Sequence, residues 1–248
     1  MTDALHGTAL VTGAAGGIGS AICERLVSAG MNVLAVDLTP GHHSAGTPFV
    51  ADLSTHEGNR DAVAAAVETF GGLDAVIPNA GVQEIAPIQE FPEDAWDLML
   101  ALMLTSPFLL ARYAWPYLVA SSGRIVAVAS VHGLVASPYK SAYVSAKHGL
   151  LGLIKTLALE GAEHGVTATA VCPGFVRTPL VDAQIAGQAR QHAMTEDRVL
   201  EDVILAPHAI KRLIEPLEVA NVVAFLLGPS GAAFTGAPLP MDLGWTAR

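Results

Sequence analysis

Residues 8–30 read TALVTGAAGGIGSAICERLVSAG, a strand, a glycine-rich turn and a helix in direct succession. Residues 8–12 are short and apolar, as a strand buried on both faces would be. Thr12-Gly13-Ala14-Ala15-Gly16-Gly17-Ile18-Gly19 is too rich in glycine to extend either element. From residue 20 to 29 the apolar positions recur at helical spacing, and Gly30 closes the helix. This order is the first half of a dinucleotide-binding unit. Glycines let backbone approach a pyrophosphate, while the helix N-terminus offers N–H groups and positive potential. The spacing is Gly-x-x-x-Gly-x-Gly rather than Gly-x-Gly-x-x-Gly, so the flanking strand and helix carry the assignment.

Working outward, the same alternation continues. A second strand over 32–36 ends in Asp37, whose carboxylate suits the two hydroxyls of an adenosine ribose and repels a 2′-phosphate. No Lys or Arg lies nearby to reverse that choice, so NAD rather than NADP is expected. A third strand over 49–51 is followed by Asp52-Leu53, where an adenine would rest. A helix spans 55–70, and a fourth strand over 74–78 leads into Asn79-Ala80-Gly81. Residues 92–104 and 106–119 read as two helices around Pro107, with Trp96, Phe108 and Trp115 as core residues. A strand over 167–172 precedes Pro173-Gly174-Phe175-Val176-Arg177-Thr178. Residues 178–212 interrupt the alternation with a polar helical stretch, read as a mobile lid. A helix over 216–227 and a strand over 237–241 end the pattern. The expected fold class is α/β: one domain over 1–248, a doubly wound parallel sheet with a helical substrate lid.

The chemistry concentrates in residues 124–153, RIVAVASVHGLVASPYKSAYVSAKHGLLGL. A buried strand over 124–129 puts Ser130 at its carboxyl end. A helix follows, with Ser141 as expected N-cap and Leu150, Leu151, Ile154 and Leu157 on its apolar face. Tyr143 and Lys147 are four apart and share a face. An ammonium about 5 Å from a phenol, at an effective dielectric of ~20, favours phenolate by roughly 3 kcal/mol, about two pKa units. Tyr143 would then exchange a proton with an alcohol or carbonyl that Ser130 holds.

Composition bounds the alternatives. The chain has 248 residues, 15% of them charged, and a formal net charge of −10. Such a balance argues against nucleic-acid or anionic-membrane partners but leaves room for a small anionic substrate in a local cationic pocket. No apolar run reads as long enough to span a bilayer, and the first eight residues lack signal-peptide character. Cys23 and Cys172 read as small buried apolar residues, which suits a cytoplasmic setting. His42 and His43 have no third ligand at useful spacing, so no metal site is expected.

Taken together, Thr12-Gly13…Gly17-Ile18-Gly19, Asn79-Ala80-Gly81, Ser130, Tyr143-x-x-x-Lys147 and Pro173-Gly174 resemble the short-chain dehydrogenase/reductase family over the whole chain. The resemblance implies a Rossmann-type NAD(P) fold in which Ser130, Tyr143 and Lys147 are catalytic. It implies that Lys147 holds the nicotinamide ribose and Thr178 the carboxamide. The candidate cofactor contacts are Gly13, Gly17, Ile18, Gly19, Asp37, Asp52, Leu53, Asn79, Ala80, Gly81, Tyr143, Lys147, Pro173, Gly174, Val176 and Thr178.

A narrower resemblance is to the branch of that family acting on D-3-hydroxybutyrate in bacteria. It rests on His132-Gly-Leu-Val-Ala-Ser137, Lys140-Ser-Ala-Tyr143, Ala146-Lys147-His148-Gly149, Arg177-Thr-Pro-Leu-Val181, Gln184-Ile185 and Gly244-Trp-Thr-Ala-Arg248. It implies a substrate site of Gln83, Ser130, His132, Lys140, Tyr143 and Gln184, while the wider family, in which tetramers are common, implies a homotetramer. Three positions depart from the family pattern. Met103 stands where a proton-relaying Asn is expected, so that relay is broken or rerouted. Phe175 replaces a Trp and makes a smaller wall. Asp242-Leu243-Gly244 replaces Asp-Gly-Gly. The expected activity is reversible hydride transfer between a small 3-hydroxy acid and NAD. The alternatives are the same chemistry on another secondary alcohol or ketone, or a dinucleotide-binding protein with weak catalysis because of Met103.

Overall fold

The computed structural model describes residues 5–39, 45–192 and 194–247. His42 and His43 lie outside them. In chain order the strands are β1 (Thr8–Thr12), β2 (Asn32–Asp37), β3 (Thr47–Val50), β4 (Ala75–Ile77), β5 (Arg124–Val128), β6 (Thr167–Pro173) and β7 (Pro238–Met241). The α-helices are α1 (Gly17–Ser28), α2 (His56–Phe70), α3 (Glu93–Leu100), α4 (Ser106–Ser121), α5 (Ser141–Gly161), α6 (Pro179–His192), α7 (Glu196–Val199) and α8 (Pro216–Leu227).

The strands form one sheet in the order β3-β2-β1-β4-β5-β6-β7. Every pairing is parallel. Alternate residues of each strand face opposite layers. Leu10 of β1 joins Val63 of α2, Leu110 of α4 and Ile154 of α5 on one side. Ala9 and Val11 join Ile22 and Leu26 of α1 and Val223 of α8 on the other. Chain direction across the sheet reverses between β1 and β4, and a crevice opens there beyond the carboxyl ends of the strands. The segment expected to form a lid packs on its own small core of Ile185, Ala189, Val199, Ile204, Leu205 and Leu213.

Several boundaries differ from the sequence reading. Helix α1 begins at Gly17, not at residue 20, because the glycines turn directly into helix with Gly16 as an N-cap that has no capping side chain. Ser141 is the first residue of α5, and Lys140 occupies the N-cap position. The two helices expected around Pro107 form one apolar run, Glu93–Ser121. A π turn over Ala101–Thr105 joins them, with the Ser106 N–H bonded back to the Ala101 carbonyl. The wider turn accommodates a proline that donates no hydrogen bond. Contrary to expectation, this run is long and apolar enough to cross a membrane by length and composition. Here Leu110, Ala111, Ala114 and Leu118 are instead buried against the sheet and its neighbouring helices. Phe108 is exposed rather than core, and Trp96 and Trp115 are half-buried.

Candidate active site

A cleft of about 530 Å³ runs along the carboxyl edge of the sheet. It is lined by all the cofactor and substrate candidates of the sequence reading, from Gly13 through Gln184.

At the β1 end the site is made largely of backbone. Gly13 adopts φ +65°, and a Cβ there would lie 2.8 Å from the Ala80 Cα. A Cβ on Gly19 would collide with the Gly13 carbonyl. Asn79 ties the turn to β4, since its amide donates to the Thr12 carbonyl at 2.8 Å and to the Gly13 carbonyl at 3.3 Å. The Thr12 hydroxyl accepts the N–H groups of Asn79 and Ala80. Without a capping side chain, the first N–H groups of α1 face the cleft unclaimed, a seat for a pyrophosphate. Asp37 accepts the Ala15 N–H at 2.9 Å and the Leu38 N–H at 2.7 Å, and each oxygen keeps acceptor capacity. Asp52 also lines this end, its carboxyl held below the usual range by hydrogen bonds from the Ser54 hydroxyl and N–H. Among the described lining residues here, none is a Lys or Arg. Glycines a Cβ would overfill, free N–H groups and a ribose-sized acceptor pair fit a dinucleotide.

At the β5–β7 end the site is built from side chains. Ser130 follows β5 in extended backbone, and its hydroxyl accepts the His132 N–H at 3.1 Å. Tyr143 and Lys147 project from α5 into the same cleft, and the Lys147 Nζ lies 5.6 Å from the Tyr143 ring centroid. That ammonium donates at 2.9 Å to the Val128 carbonyl. Burial pushes the Lys147 pKa down to about 8. Burial also moves the Tyr143 phenol upward, with hydrogen bonding to Ser130 pulling the other way. The sequence reading expected the neighbouring amine to acidify the phenol. In this structure desolvation outweighs it, because the amine is buried and hydrogen-bonded to a carbonyl rather than to the phenol oxygen.

Lys140 is also buried, 7% exposed, and its pKa falls to about 8 through burial. Its ammonium sits 5.4 Å from the Phe175 ring centroid and has no carboxylate partner among the described residues. Tyr139, at φ +67°, makes the turn that precedes it. His132 is driven down to about 3 by burial, then by the charges of Lys140 and His148, and is therefore neutral. Gln83 and Gln184 complete the polar lining.

Two groups escaped the sequence reading. Trp245 stacks on Phe175 with centroids 5.5 Å apart and planes 7° apart, and together they wall the cleft. Asp242 fixes that tail by accepting the Gly244 and Thr246 N–H groups. His208, 1% exposed, lies behind the wall, 5.3 Å from Trp245 and 6.0 Å from Phe175. The tail entered the narrower resemblance through Gly244-Trp-Thr-Ala-Arg248 without a site role for Trp245, and His208 carries no signal.

Residues 7–189 match the family described as short chain dehydrogenase. The chain belongs to that family. It is 43% identical to the D-beta-hydroxybutyrate dehydrogenase of Rhizobium meliloti (strain 1021), over 97% of this chain and 99% of that protein. The D-beta-hydroxybutyrate dehydrogenase of Cupriavidus necator is 37% identical, over 97% of this chain and 98% of its own. Among solved structures, the ligand-free aldohexose dehydrogenase of Thermoplasma acidophilum superposes with a TM-score of 0.93 at 27% identity, over 100% and 96% of the two chains. As a short-chain dehydrogenase the protein is an oxidoreductase, and enzymes of this kind use a nicotinamide cofactor.

Proposed function

We propose that the protein is an NAD-dependent dehydrogenase of small 3-hydroxy acids, with D-3-hydroxybutyrate the foremost candidate. The observation that carries this reading is the buried ammonium of Lys140, without a carboxylate partner among the described residues, in the same cleft as Ser130 and Tyr143. A buried cation without a counter-ion is costly, and an anionic substrate supplies the missing charge. Gln83 and Gln184 add amide donors, and the Phe175–Trp245 wall gives the short carbon chain an apolar surface. The two hydroxybutyrate dehydrogenases among the relatives support the same class. Asp37, with no cation beside it among the described residues, favours NAD over NADP.

When bound, the oxidised nicotinamide supplies a hydride acceptor and a positive charge beside the phenol. The chain does the rest. The Ser130 hydroxyl holds the reacting oxygen. Tyr143 takes the alcohol proton as the C–H bond breaks, its phenolate favoured against burial by the positive charge such a cofactor would bring. Lys147 orients the ribose. The lid residues Leu180, Val181 and Gln184 border the cleft and help exclude water. The test is NADH formation at 340 nm over a panel of hydroxy acids and neutral alcohols, with L-3-hydroxybutyrate and NADP as controls. Turnover of D-3-hydroxybutyrate with NAD is expected. Equal turnover of neutral alcohols after Lys140→Ala, with none of the acid by wild type, would overturn the substrate class.

Met103 favours a second reading, a dinucleotide-binding protein with weak catalysis. It is buried beside Tyr143 at the expected position of the relaying Asn. Calorimetric NAD binding without NADH from any panel member would select that reading.

A further inference from the structure

Taking up a proton is half of the chemistry; Tyr143 must also exchange it with solvent. On the α3–α4 side that path is shut. Met103 is 1% exposed and packs with Met99, Ala142 and Ala146 against Tyr143. Its sulfur lies 3.2 Å from where a Gly81 Cβ would sit. A thioether donates no hydrogen bond, so Met103 itself cannot pass a proton. Among the described residues the Lys147 ammonium donates to the Val128 carbonyl, and no hydrogen bond links it to a polar group beyond Met103.

On the other side of Tyr143 polar atoms run in file. Ser130 accepts the backbone N–H of His132, which leaves its own O–H free to donate. The His132 Nδ1 lies 3.5 Å from that oxygen. The His132 Nε2 lies 2.9 Å from the Ser137 hydroxyl. Ser137 is half-buried between exposed Ala136 and Pro138. The imidazole, edge-on to Tyr143 with centroids 5.9 Å apart, thus joins the reacting hydroxyl to the surface. Lys140 and His148 face it and help burial keep it neutral, with one nitrogen to accept and one to donate.

We propose that protons enter and leave the catalytic cleft through Ser130, His132 and Ser137, a route that substitutes for the one closed by Met103; this rests on the dehydrogenase reading of the same site. In oxidation, hydride leaves the carbon for the oxidised nicotinamide dinucleotide and the alcohol proton goes to the Tyr143 phenolate. Tyr143 then passes a proton to Ser130 as Ser130 gives its own to Nδ1. Nε2 gives its proton to Ser137, and Ser137 gives one to water. Each side chain ends with the proton count it began with, and one proton reaches solvent per hydride transferred. Reduction runs the file inward from the other tautomer.

The test is Ser137→Ala, because Ser137 carries the outer link without lining the cleft. Stopped-flow absorbance follows NADH while an indicator dye follows proton release in weak buffer with D-3-hydroxybutyrate. In wild type the two signals coincide. In Ser137→Ala proton release lags and kcat falls about tenfold, KM for the acid holds, and added imidazole restores the rate. Ser137→Thr, which keeps a hydroxyl, behaves as wild type. Met103→Asn in the Ser137→Ala background recovers turnover by reopening the other side. Proton release in step with NADH in Ser137→Ala would overturn the relay. So would a loss that neither imidazole nor Met103→Asn relieves. A wild-type trace with no NADH from any hydroxy acid marks failure of the dehydrogenase reading itself, and is distinct from both.

Discussion

The two ends of the cleft recognise their ligands by opposite means. The β1–β4 end uses backbone N–H groups, glycines without room for a Cβ, and the carboxylate acceptors of half-buried Asp37 and exposed Asp52. The β5–β7 end buries Lys140, His132 and Lys147, and moves their pKa values to about 8, 3 and 8. Backbone recognition costs little folding stability, because those N–H groups would be unsatisfied at any helix N-terminus. Buried ionisable groups do cost stability, and under the proposed function their tuning fits that end for proton chemistry and anion capture. The difference predicts that perturbing one end leaves the other's ligand largely unaffected.

The largest effect expected is for Tyr143→Phe, which should lower kcat by roughly 10³-fold or more. Calorimetry should find NAD affinity changed by less than about twofold. A substantial loss of NAD affinity would show that the two ends are not separable. Gly19→Ala tests the opposite end. The collision with the Gly13 carbonyl should cost about 10- to 100-fold in NAD affinity. Near-wild-type binding would mean that the turn yields and that backbone fit is not the basis of recognition.

Lys140→Met sharpens the comparison by separating function from stability. It should raise KM for 3-hydroxy acids about tenfold or more and leave a neutral alcohol unaffected. Holding the lysine charged in a folded site of pKa about 8, against 10.5 in the open chain, costs up to about 3 kcal/mol. That penalty is fully present below pH 8 and fades as pH rises toward 10.5. The variant should therefore melt at a higher temperature at pH 7, with the advantage gone near pH 10.5. In wild type, KM for the acid should rise as pH passes about 8 and the Lys140 ammonium is lost. The smallest effect is expected for Asp37→Ser, a several-fold narrowing of the NAD over NADP preference measured as a kcat/KM ratio.

The β1–β4 end was the more legible in sequence, for a physical reason. A strand, a glycine turn and a helix are contiguous, and glycine marks where a Cβ cannot fit, so residues 8–30 name their own geometry. Asp37 follows at the end of the next strand. Tyr143 and Lys147 were legible because helical spacing puts them on one face. Their titration was not, because it depends on burial by Met99, Met103 and the β5 carbonyls, which are remote in sequence. The π turn before Pro107 was equally hidden, since apolar spacing reads the same through a wider turn. Trp245 and His208 reach the wall only after β7 and the lid fold against β6, a proximity no local pattern encodes.

β7 is one of the two edge strands of the sheet, and the peptide just beyond it carries Trp245. The aromatic lining of the proposed substrate end thus hangs from an edge of the sheet, whereas the glycine turn issues from an interior strand. Fraying of that margin by heat or mild denaturant would blunt discrimination among acids while dinucleotide binding persisted, so selectivity is the first property this architecture should lose.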